Sequence, residues 1–226
     1  MARWGDRALE GFARAGFMAA EVWAQHLWEN DTKPEVVAAR AAELGMRLSL
    51  HAPSYDLNPL SSNPEVRAIS RRQVLESLET AMRVGARIVV VHPGHISSST
   101  DNVEDYWAGL AEYAAQLNAR ASELGLTVAL EAMEKKRLQF VTNIPALQRL
   151  GAILEGLEHT VIAVDIAHAG TMGDPMEFWS ACHASVTRIY RTRARRRRTP
   201  CWVRADWICR ASFPRSSIAS RRRRTG

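Results

Sequence analysis

The sequence predicts an α/β fold, a (β/α) barrel of the TIM type, and three observations support this prediction. Short apolar runs alternate with longer amphipathic stretches at intervals of about 30 to 40 residues, as in repeated βαβ units. The runs are apolar throughout, as parallel strands buried on both faces are. Several runs end on a histidine or a carboxylate, and the strand C-termini of such a barrel meet at its active-site face. The alternative, a doubly wound sheet, would carry a glycine-rich phosphate loop after its first strand, and the sequence has none there.

The strands and helices can be placed in order along the chain. Most strand-like runs follow a glycine that suits the left-handed end of a helix, as in Leu44-Gly45-Met46. Asn63-Pro64-Glu65 opens one helix with an N-cap, a proline at the first position and an acidic first turn. The predicted helices lie near residues 6–15, 34–44, 64–82, 103–124, 145–154 and 175–182. The predicted strands lie near residues 19–24, 46–51, 87–92, 126–131 and 160–165, with a sixth candidate at 186–190.

The strand count predicts an incomplete barrel. Measured against eight strands, the chain lacks one at the start and at least two at the end, so the first and last strands are missing or altered. We expect one barrel domain over residues 1–187, followed by a separate tail over residues 188–226.

Composition excludes several classes of protein. No apolar run approaches the roughly 20 residues of a membrane span, and the N-terminus lacks a signal-peptide core, so we expect a cytoplasmic protein without membrane contact. The three cysteines, Cys182, Cys201 and Cys209, are odd in number and lack CxxC spacing. They therefore argue against a disulfide framework or a thiolate zinc site.

The net charge of +6 is unevenly distributed. Residues 188–226 contain 14 Arg and one Asp, a net charge of +13, so residues 1–187 carry a net charge of −7. The negative charge of residues 1–187 repels phosphate groups unless a local basic patch compensates for it, which argues against nucleic acid as a partner.

Potential metal ligands follow four of the strands. The runs of the second to fifth strands end on His51, His92, Glu131 and Asp165, and His168 follows three residues after the last of these. Imidazole and carboxylate groups together suit Zn²⁺, Mn²⁺ or Fe²⁺. Because neighbouring barrel strands end on one rim, we expect these side chains to share a divalent-metal site.

Each of these residues, taken singly, also has a structural interpretation. The histidines are compatible with hydrogen-bonded structural positions, and His168 with a loop cap. Glu131 follows four apolar residues, so it needs a partner, and an ion pair with Lys135 or Arg137 is the alternative to a metal. For Asp165 the alternatives are the same ion pair or a helix N-cap.

The same residues resemble the xylose isomerase-like TIM barrels, a superfamily that includes sugar phosphate isomerases and epimerases and endonuclease IV. The resemblance covers about residues 8–187. It rests on His51-Ala52-Pro53 with Leu57-Asn58, on Val91-His92-Pro93-Gly94, on Leu130-Glu131, and on Val164-Asp165-Ile166-Ala167-His168.

The resemblance implies a metal-dependent enzyme acting on a small sugar or sugar phosphate. It implies one metal position among His51, His92 and Glu131, and a second shared by Glu131 and Asp165 with His168 beside it. In the isomerase branch, Glu131 is expected to act as the acid/base that moves a proton next to a carbonyl. The metal, which could be Zn, Mn, Mg or Fe, would polarise that carbonyl and hold the enediolate.

The segment after Glu131 favours the sugar branch. The DNA-repair branch usually continues with Asn-Thr and a glycine-rich stretch, whereas Ala132-Met133-Glu134-Lys135-Lys136 follows here. Because Asn is common at the position of Ala132 even in the sugar branch, a hydrogen bond behind the ligands is expected to be missing. An apurinic-site endonuclease with a zinc cluster is the second hypothesis, and an inactive barrel fragment is the third.

The tail departs from the family. The resemblance implies a later strand with His-x-His or His-x-x-Asp, a Leu-Gly-Glu-Gly segment and a final strand ending in Glu, but arginine runs stand there instead. The hypotheses are a nucleic-acid arm, a disordered tail and a reading-frame error. We favour the error, because codons compatible with residues 201–210 encode Leu-Gly-Glu-Gly-Arg-Leu-Asp-Leu-Pro when they are read two bases later. A chain without the last strands is expected to be poorly stable and weakly active or inactive.

Overall fold

A computed structural model describes residues 5–178, 180 and 189–192 of the 226-residue chain. All five predicted strands are present, and a sixth begins within the predicted 186–190 stub. The helices are α1 (Gly5–Arg14), α2 (Ala24–Glu29), α3 (Pro34–Glu43), α4 (Pro64–Val84), α5 (Val103–Leu124), α6 (Ile144–Ile153) and α7 (Ile166–Met172), and residues 175–178 are also helical. The strands are β1 (Ala19–Trp23), β2 (Arg47–His51), β3 (Ile88–Val91), β4 (Thr127–Ala132), β5 (Thr160–Asp165) and β6 (Ile189–Thr192).

The six strands form one parallel sheet in the order of the chain, β1-β2-β3-β4-β5-β6. Sequential parallel strands joined by helices are the architecture of a (β/α) barrel, as predicted. Within the described residues, β1 and β6 are each hydrogen-bonded to one neighbouring strand only. The described part is therefore an incomplete barrel with two strand edges.

Alternation along the strands separates two apolar layers. Residues such as Leu50, Val89 and Leu130 belong to the large core in which the sheet packs against the helices. The intervening residues Val90, Ala129 and Ala163 form a smaller apolar cluster of their own, on the inner face of the sheet. Glu131 and Asp165 stand two residues beyond Ala129 and Ala163, so the inner face of these strands ends on carboxylates.

Local signals explain the long helices. The side chain of Asn63 caps α4 by accepting hydrogen bonds from the backbone N–H groups of Glu65 and Val66. Gly85 and Gly125 end α4 and α5 with φ of 76° and 64°, in the left-handed region that favours glycine.

The predicted helices include neither α2 nor α7, although the N-cap alternative for Asp165 agrees with a helix that begins at Ile166. Each follows a strand directly, so that Trp23 is both the last residue of β1 and the N-cap of α2, and Asp165 has the same double position before α7. No turn residues separate strand from helix, and the glycine or proline that usually marks such a boundary is absent at both junctions.

Three expectations remain predictions: the cytoplasmic location, the domain boundary after residue 187 and the nature of the arginine-rich tail. None of the helices in the described part of the chain is long and apolar enough to cross a membrane. The cytoplasmic location is not tested by this finding. The boundary after residue 187 also stays a prediction, with β6 lying just beyond it, and the arginine runs of the tail fall outside the described residues apart from Arg191.

Candidate metal centre

The five predicted ligands come together at the C-terminal rim of the sheet. His51 ends β2, His92 follows β3, Glu131 lies in β4, Asp165 ends β5, and His168 lies in the first turn of α7. Their ligand atoms form two adjoining groups that share Glu131, and the atoms within each group lie within 4.8 Å of one another. The groups are His51, His92 and Glu131, and Glu131, Asp165 and His168.

Glu131 is buried at the centre of the site and has histidines on both sides. Its Oε2 lies 3.6 Å from His51 Nε2 and 3.3 Å from His92 Nε2. Its Oε1 lies 3.4 Å from His168 Nδ1. The alternative ion pair with Lys135 or Arg137 is wrong, since both of those residues are exposed and the ion pairs of Glu131 are with the histidines.

The hydrogen bond on the other side of the His51 ring defines what faces Glu131. His51 Nδ1 lies 2.7 Å from the carbonyl oxygen of Ala52. Because a carbonyl can only accept, Nδ1 carries the proton, and Nε2 of the neutral ring directs a lone pair at the Glu131 carboxylate. That arrangement requires a positive charge between the two groups, either a proton or a metal ion.

The spacing of the first group fits a metal ion. Two ligand bonds of about 2.0–2.1 Å at a tetrahedral angle place their donor atoms about 3.3–3.4 Å apart. The distances from Glu131 Oε2 to the two Nε2 atoms, 3.3 and 3.6 Å, bracket this value and exceed the usual length of a hydrogen bond. Two imidazoles and one carboxylate suit zinc and its first-row neighbours.

The pKa shifts describe the same group in electrostatic terms. Burial opposes ionisation of Glu131, but hydrogen bonds and charge from His51 and His92 hold its pKa well below the usual range. Burial likewise opposes protonation of His51, yet Glu131 and Glu21 raise its pKa. Burial lowers the pKa of His92 despite the adjacent Glu131. Glu131 is thus ionised at neutral pH, and His92 is neutral, as a metal ligand has to be.

Asp165 has the predicted structural role without losing its capacity as a ligand. Its Oδ1 caps α7 by accepting hydrogen bonds from the backbone N–H of Ala167 at 2.6 Å and of His168 at 3.3 Å. Both bonds use Oδ1, so capping does not occupy Oδ2. Burial raises the pKa of Asp165, the charge on Glu131 adds to the rise, and His168 opposes it.

His168 is held from the side of Nδ1. This atom lies 3.1 Å from the carbonyl oxygen of Ala132, which can only accept, so it carries the proton of the neutral ring. The nitrogen nearest to Glu131 Oε1, at 3.4 Å, is therefore the protonated one, and binding of a metal ion through it would displace that proton and the hydrogen bond to Ala132.

A comparison with protein families identifies the family of the chain. The family model described as xylose isomerase-like TIM barrel matches residues 9–197. The chain belongs to this family. The match confirms the resemblance inferred from the strand-end motifs.

Solved structures show the same barrel architecture. A crystal structure of a D-tagatose 3-epimerase-like protein superposes with a TM-score of 0.69 at 24% identity, covering 80% of this chain and 69% of that one. A Thermus thermophilus protein from a crystal soaked in zinc chloride superposes with a TM-score of 0.64 at 26% identity, covering 83% and 73%.

The chain spans about half the length or less of the curated relatives that it matches. An uncharacterized protein of Methanocaldococcus jannaschii is 29% identical over 134 residues, which are 59% of this chain and 45% of the relative. A probable endonuclease 4 of Mycobacterium marinum is 34% identical over 74 residues, which are 33% of this chain and 29% of the relative.

Two residues of this xylose isomerase-like barrel that the sequence did not identify lie on β1 beside the candidate ligands. The Trp23 ring is stacked on the His51 ring, with centroids 4.2 Å apart and an interplanar angle of 11°. Glu21 accepts a hydrogen bond from Ser49 Oγ at 3.3 Å, and burial raises its pKa to about 7, with His51 opposing the rise and Glu131 adding to it. The sequence signal for these two residues was their alternation in the run Ala20-Glu21-Val22-Trp23. It places a carboxylate and an indole on the same face of an apolar strand.

The Leu57-Asn58 and Pro93-Gly94 motifs lie in the loops after β2 and β3. Contacts of Asn58 and Gly94 hold these two loops together, and we call these contacts the clamp. The Asn58 side chain accepts hydrogen bonds from the backbone N–H groups of Leu60 and His95, both at 3.1 Å, and donates to the His95 carbonyl at 2.8 Å. Gly94 has φ of 92°, and a Cβ there would lie 2.9 Å from Leu60 Cγ. The clamp fixes the loop that follows His92.

A cavity of about 450 Å³ opens near the beginnings of α4 and α5, and none of the five ligand candidates lines it. Two of its arginines already have partners. Arg67 donates to the Ser61 carbonyl at 2.6 Å, and Arg71 donates to the Pro59 carbonyl and Glu112, both at 2.9 Å. These bonds hold the loop before α4, and the cavity adds no chemistry to the metal centre.

Proposed function

We propose that this chain is a divalent-metal-dependent isomerase or epimerase of a sugar or sugar phosphate, acting by proton transfer through an enediolate. The observation that carries the proposal is the buried, ionised carboxylate of Glu131, with His51 and His92 at one oxygen and His168 at the other. Membership of the xylose isomerase-like family and the fold shared with an epimerase-like protein support it.

The ligand roles follow from the two groups. His51, His92 and Glu131 would hold one ion, and Glu131, Asp165 and His168 would hold another. Nitrogen ligands in both groups favour Zn²⁺, Mn²⁺ or Fe²⁺ over Mg²⁺, which prefers oxygen ligands.

Glu131 is the acid/base of the proposed reaction. Its lowered pKa keeps it in the ionised form that accepts a proton but also makes it a weak base, so a bound ion would have to acidify the C–H bond next to the substrate carbonyl. The electron pair of that C–H bond forms the C=C bond of the enediolate, and the π pair of the carbonyl moves onto its oxygen. Delivery of a proton to the opposite face by an acid other than Glu131 yields the epimer, and return of the proton from Glu131 to the neighbouring carbon yields the isomer. A bound divalent ion would polarise the carbonyl and stabilise the negative charge on its oxygen.

An apurinic-site endonuclease is the second candidate, because two ligand groups that share a carboxylate suit a cluster of ions acting on phosphate. The probable endonuclease 4 relatives favour it as well. The net charge of −7 on residues 1–187 and the Ala132 substitution argue against it.

One pair of assays separates these candidates. The metal-loaded chain is incubated in D₂O with a panel of ketoses and ketose phosphates, and deuterium at the carbon next to the carbonyl is followed by NMR. In parallel, cleavage of a duplex with one abasic site is measured. Deuterium incorporation without cleavage supports the proposal, and cleavage without incorporation establishes the endonuclease. A chain that binds metal but does neither is the inactive fragment.

Glu131→Gln tests the site itself. The amide keeps the size of the side chain and can donate to a histidine Nε2, but it no longer supplies the negative charge shared by both metal positions. We expect bound zinc, measured after dialysis by elemental analysis, to fall from stoichiometric to background, and proton exchange to be lost. Glu134→Gln, in the following loop and paired with Lys136, is the control and should retain zinc. Equal zinc content in wild type and Glu131→Gln would contradict the site assignment.

A further inference from the structure

We infer that Trp23 is a positioning residue of the metal centre. Its indole holds the His51 imidazole in the orientation in which Nε2 faces Glu131, and it thereby sets the affinity of the first metal position. The inference rests on the proposed metal site and adds to it a residue outside the ligand set.

The His51 ring needs such a support. Rotation of an imidazole about its second side-chain torsion is broad, because this is a bond between sp³ and sp² atoms. A change in that torsion would swing Nε2 away from Glu131 and open the 3.6 Å spacing that suits an ion. The hydrogen bond from Nδ1 to the Ala52 carbonyl restrains one edge of the ring. Two aromatic neighbours restrain the remainder of the His51 ring. Trp23 packs against its face, and the His92 ring lies at a right angle to it, with the His51 and His92 centroids 4.9 Å apart.

Trp23 is itself in a fixed position. It is the direct partner of His51 in the register between β1 and β2, so the two side chains emerge side by side from neighbouring parallel strands. The indole also lies nearly parallel to His26 in α2, with centroids 5.5 Å apart, and 5.5 Å from the Tyr55 ring. Gln25 connects α2 to the loop after β2, since its Oε1 accepts hydrogen bonds from the backbone N–H groups of Ser54 and Tyr55.

The stacking also has an electrostatic consequence. An imidazole that binds a metal ion through Nε2 becomes more positive, and a positive group over the face of an indole is attracted by the ring quadrupole. Trp23 therefore favours the metal-bound form of His51 over the free form, in addition to fixing its direction. An aliphatic side chain in the same place provides packing without this attraction.

The test compares zinc affinity in Trp23→Phe, Trp23→Leu and wild type, by competition with a chromogenic chelator at pH 7.5. We expect Trp23→Leu to weaken zinc binding about 10-fold, the lower end for residues that support a metal ligand, and Trp23→Phe to fall between it and wild type. Trp28→Leu removes an exposed tryptophan of α2 and is the matched control, expected to leave the affinity unchanged. NMR of the histidine side-chain nitrogens should show a zinc-induced shift of His51 Nε2 that is reduced in Trp23→Leu.

The outcomes separate this inference from the proposed function. If Trp23→Leu lowers the melting temperature but binds zinc like wild type, the residue is only a packing element and the inference is overturned. If Trp23→Leu does not fold, Trp23→Met fills more of the space without a flat face and has to show the same loss of affinity. A wild-type chain that binds zinc but exchanges no substrate proton contradicts the proposed function alone, and one that binds no zinc overturns the inference together with the metal site.

Discussion

Glu21, Glu131 and Asp165 are three carboxylates on the inner face of the sheet, close enough for Glu131 and Asp165 both to raise the pKa of Glu21. His51 opposes that rise, so the residues form one electrostatic system. Buried carboxylates that lie close together repel one another when they are ionised at the same time. A bound divalent cation offsets this repulsion. The metal-free protein has to relieve it by retaining protons.

Glu21→Gln tests this balance through its pH dependence. The pKa of Glu21 is about 7 in the folded protein and 4.5 ordinarily, so the folded state retains the proton longer than the unfolded state does. Ionisation of Glu21 does not change the free energy of unfolding below pH 4.5. It lowers this free energy increasingly between pH 4.5 and 7, and by a constant amount above pH 7. The Glu21 side chain is half-buried, and the remaining contact with solvent limits this decrease to on the order of 2 kcal/mol.

We therefore expect Glu21→Gln to raise the free energy of unfolding at pH 8 by about that amount and to leave it unchanged at pH 4.5. Urea denaturation of the metal-free chain in EDTA at the two pH values is the measurement. Glu29→Gln, the same change at an exposed position of α2, should show no such difference. An equal effect of Glu21→Gln at both pH values would contradict the buried, titrating role.

At the scale of elements, the junction between β5 and α7 combines a helix cap with a proposed metal ligand, Asp165. Asn caps a helix about as well as Asp but has no charge, so Asp165→Asn separates the two roles. We expect Asp165→Asn to be at least as stable as wild type and to bind one zinc ion fewer, by thermal denaturation and elemental analysis. Asp165→Ala should also lose about 1 kcal/mol of stability. Asn63→Ala, which removes the cap of α4, is the control for lost capping and should keep its zinc. Full zinc content in Asp165→Asn would remove Asp165 from the ligand set.

The clamp between the loops after β2 and β3 allows a matched pair of glycine substitutions. Gly94 and Gly156 both have left-handed φ, of 92° and 80°, but a Cβ meets Leu60 only at Gly94 and has open space at Gly156. We expect Gly156→Ala to cost about 1 kcal/mol from backbone strain, and Gly94→Ala about 1–3 kcal/mol more from the clash. Displacement of the loop should also weaken zinc binding in Gly94→Ala alone, since His92 begins that loop. Equal zinc affinity in the two variants would show that the clamp does not position His92.

At the scale of the whole molecule, the described sheet has two edge strands, β1 and β6. Closing a barrel joins its first and last strands, which removes both edges and covers the inner face. The hypothesis of a shifted reading frame near the C-terminus predicts that the missing strands are encoded in another frame of the same gene. Sequencing the gene from Thr187 to Gly226 is the direct test, and the idea fails if no single-base shift restores strands with His and Glu. We expect a frame-restored chain to melt at a higher temperature and to bind more zinc per chain than the present one.

The order of the strands and the types of side chain at their ends could be predicted because they depend on nearby residues. Gly45 and Gly85 mark helix ends, apolar runs mark buried strands, and His51, His92 and Glu131 end those runs wherever the strands lie in space. The extents of helices α2 and α7 could not be predicted in this way, because each begins directly after the last residue of a strand with no intervening turn.

The sequence by itself determined that a parallel barrel would end in imidazoles and carboxylates on one rim, since strand direction and side-chain alternation are local properties. Only the tertiary structure decided that Glu131 directs one oxygen at His51 and His92 and the other at His168. It also decided that Trp23 covers His51 and that Glu21 joins the charged group. These facts depend on the register between strands and on burial, which arise when segments distant in the chain pack together.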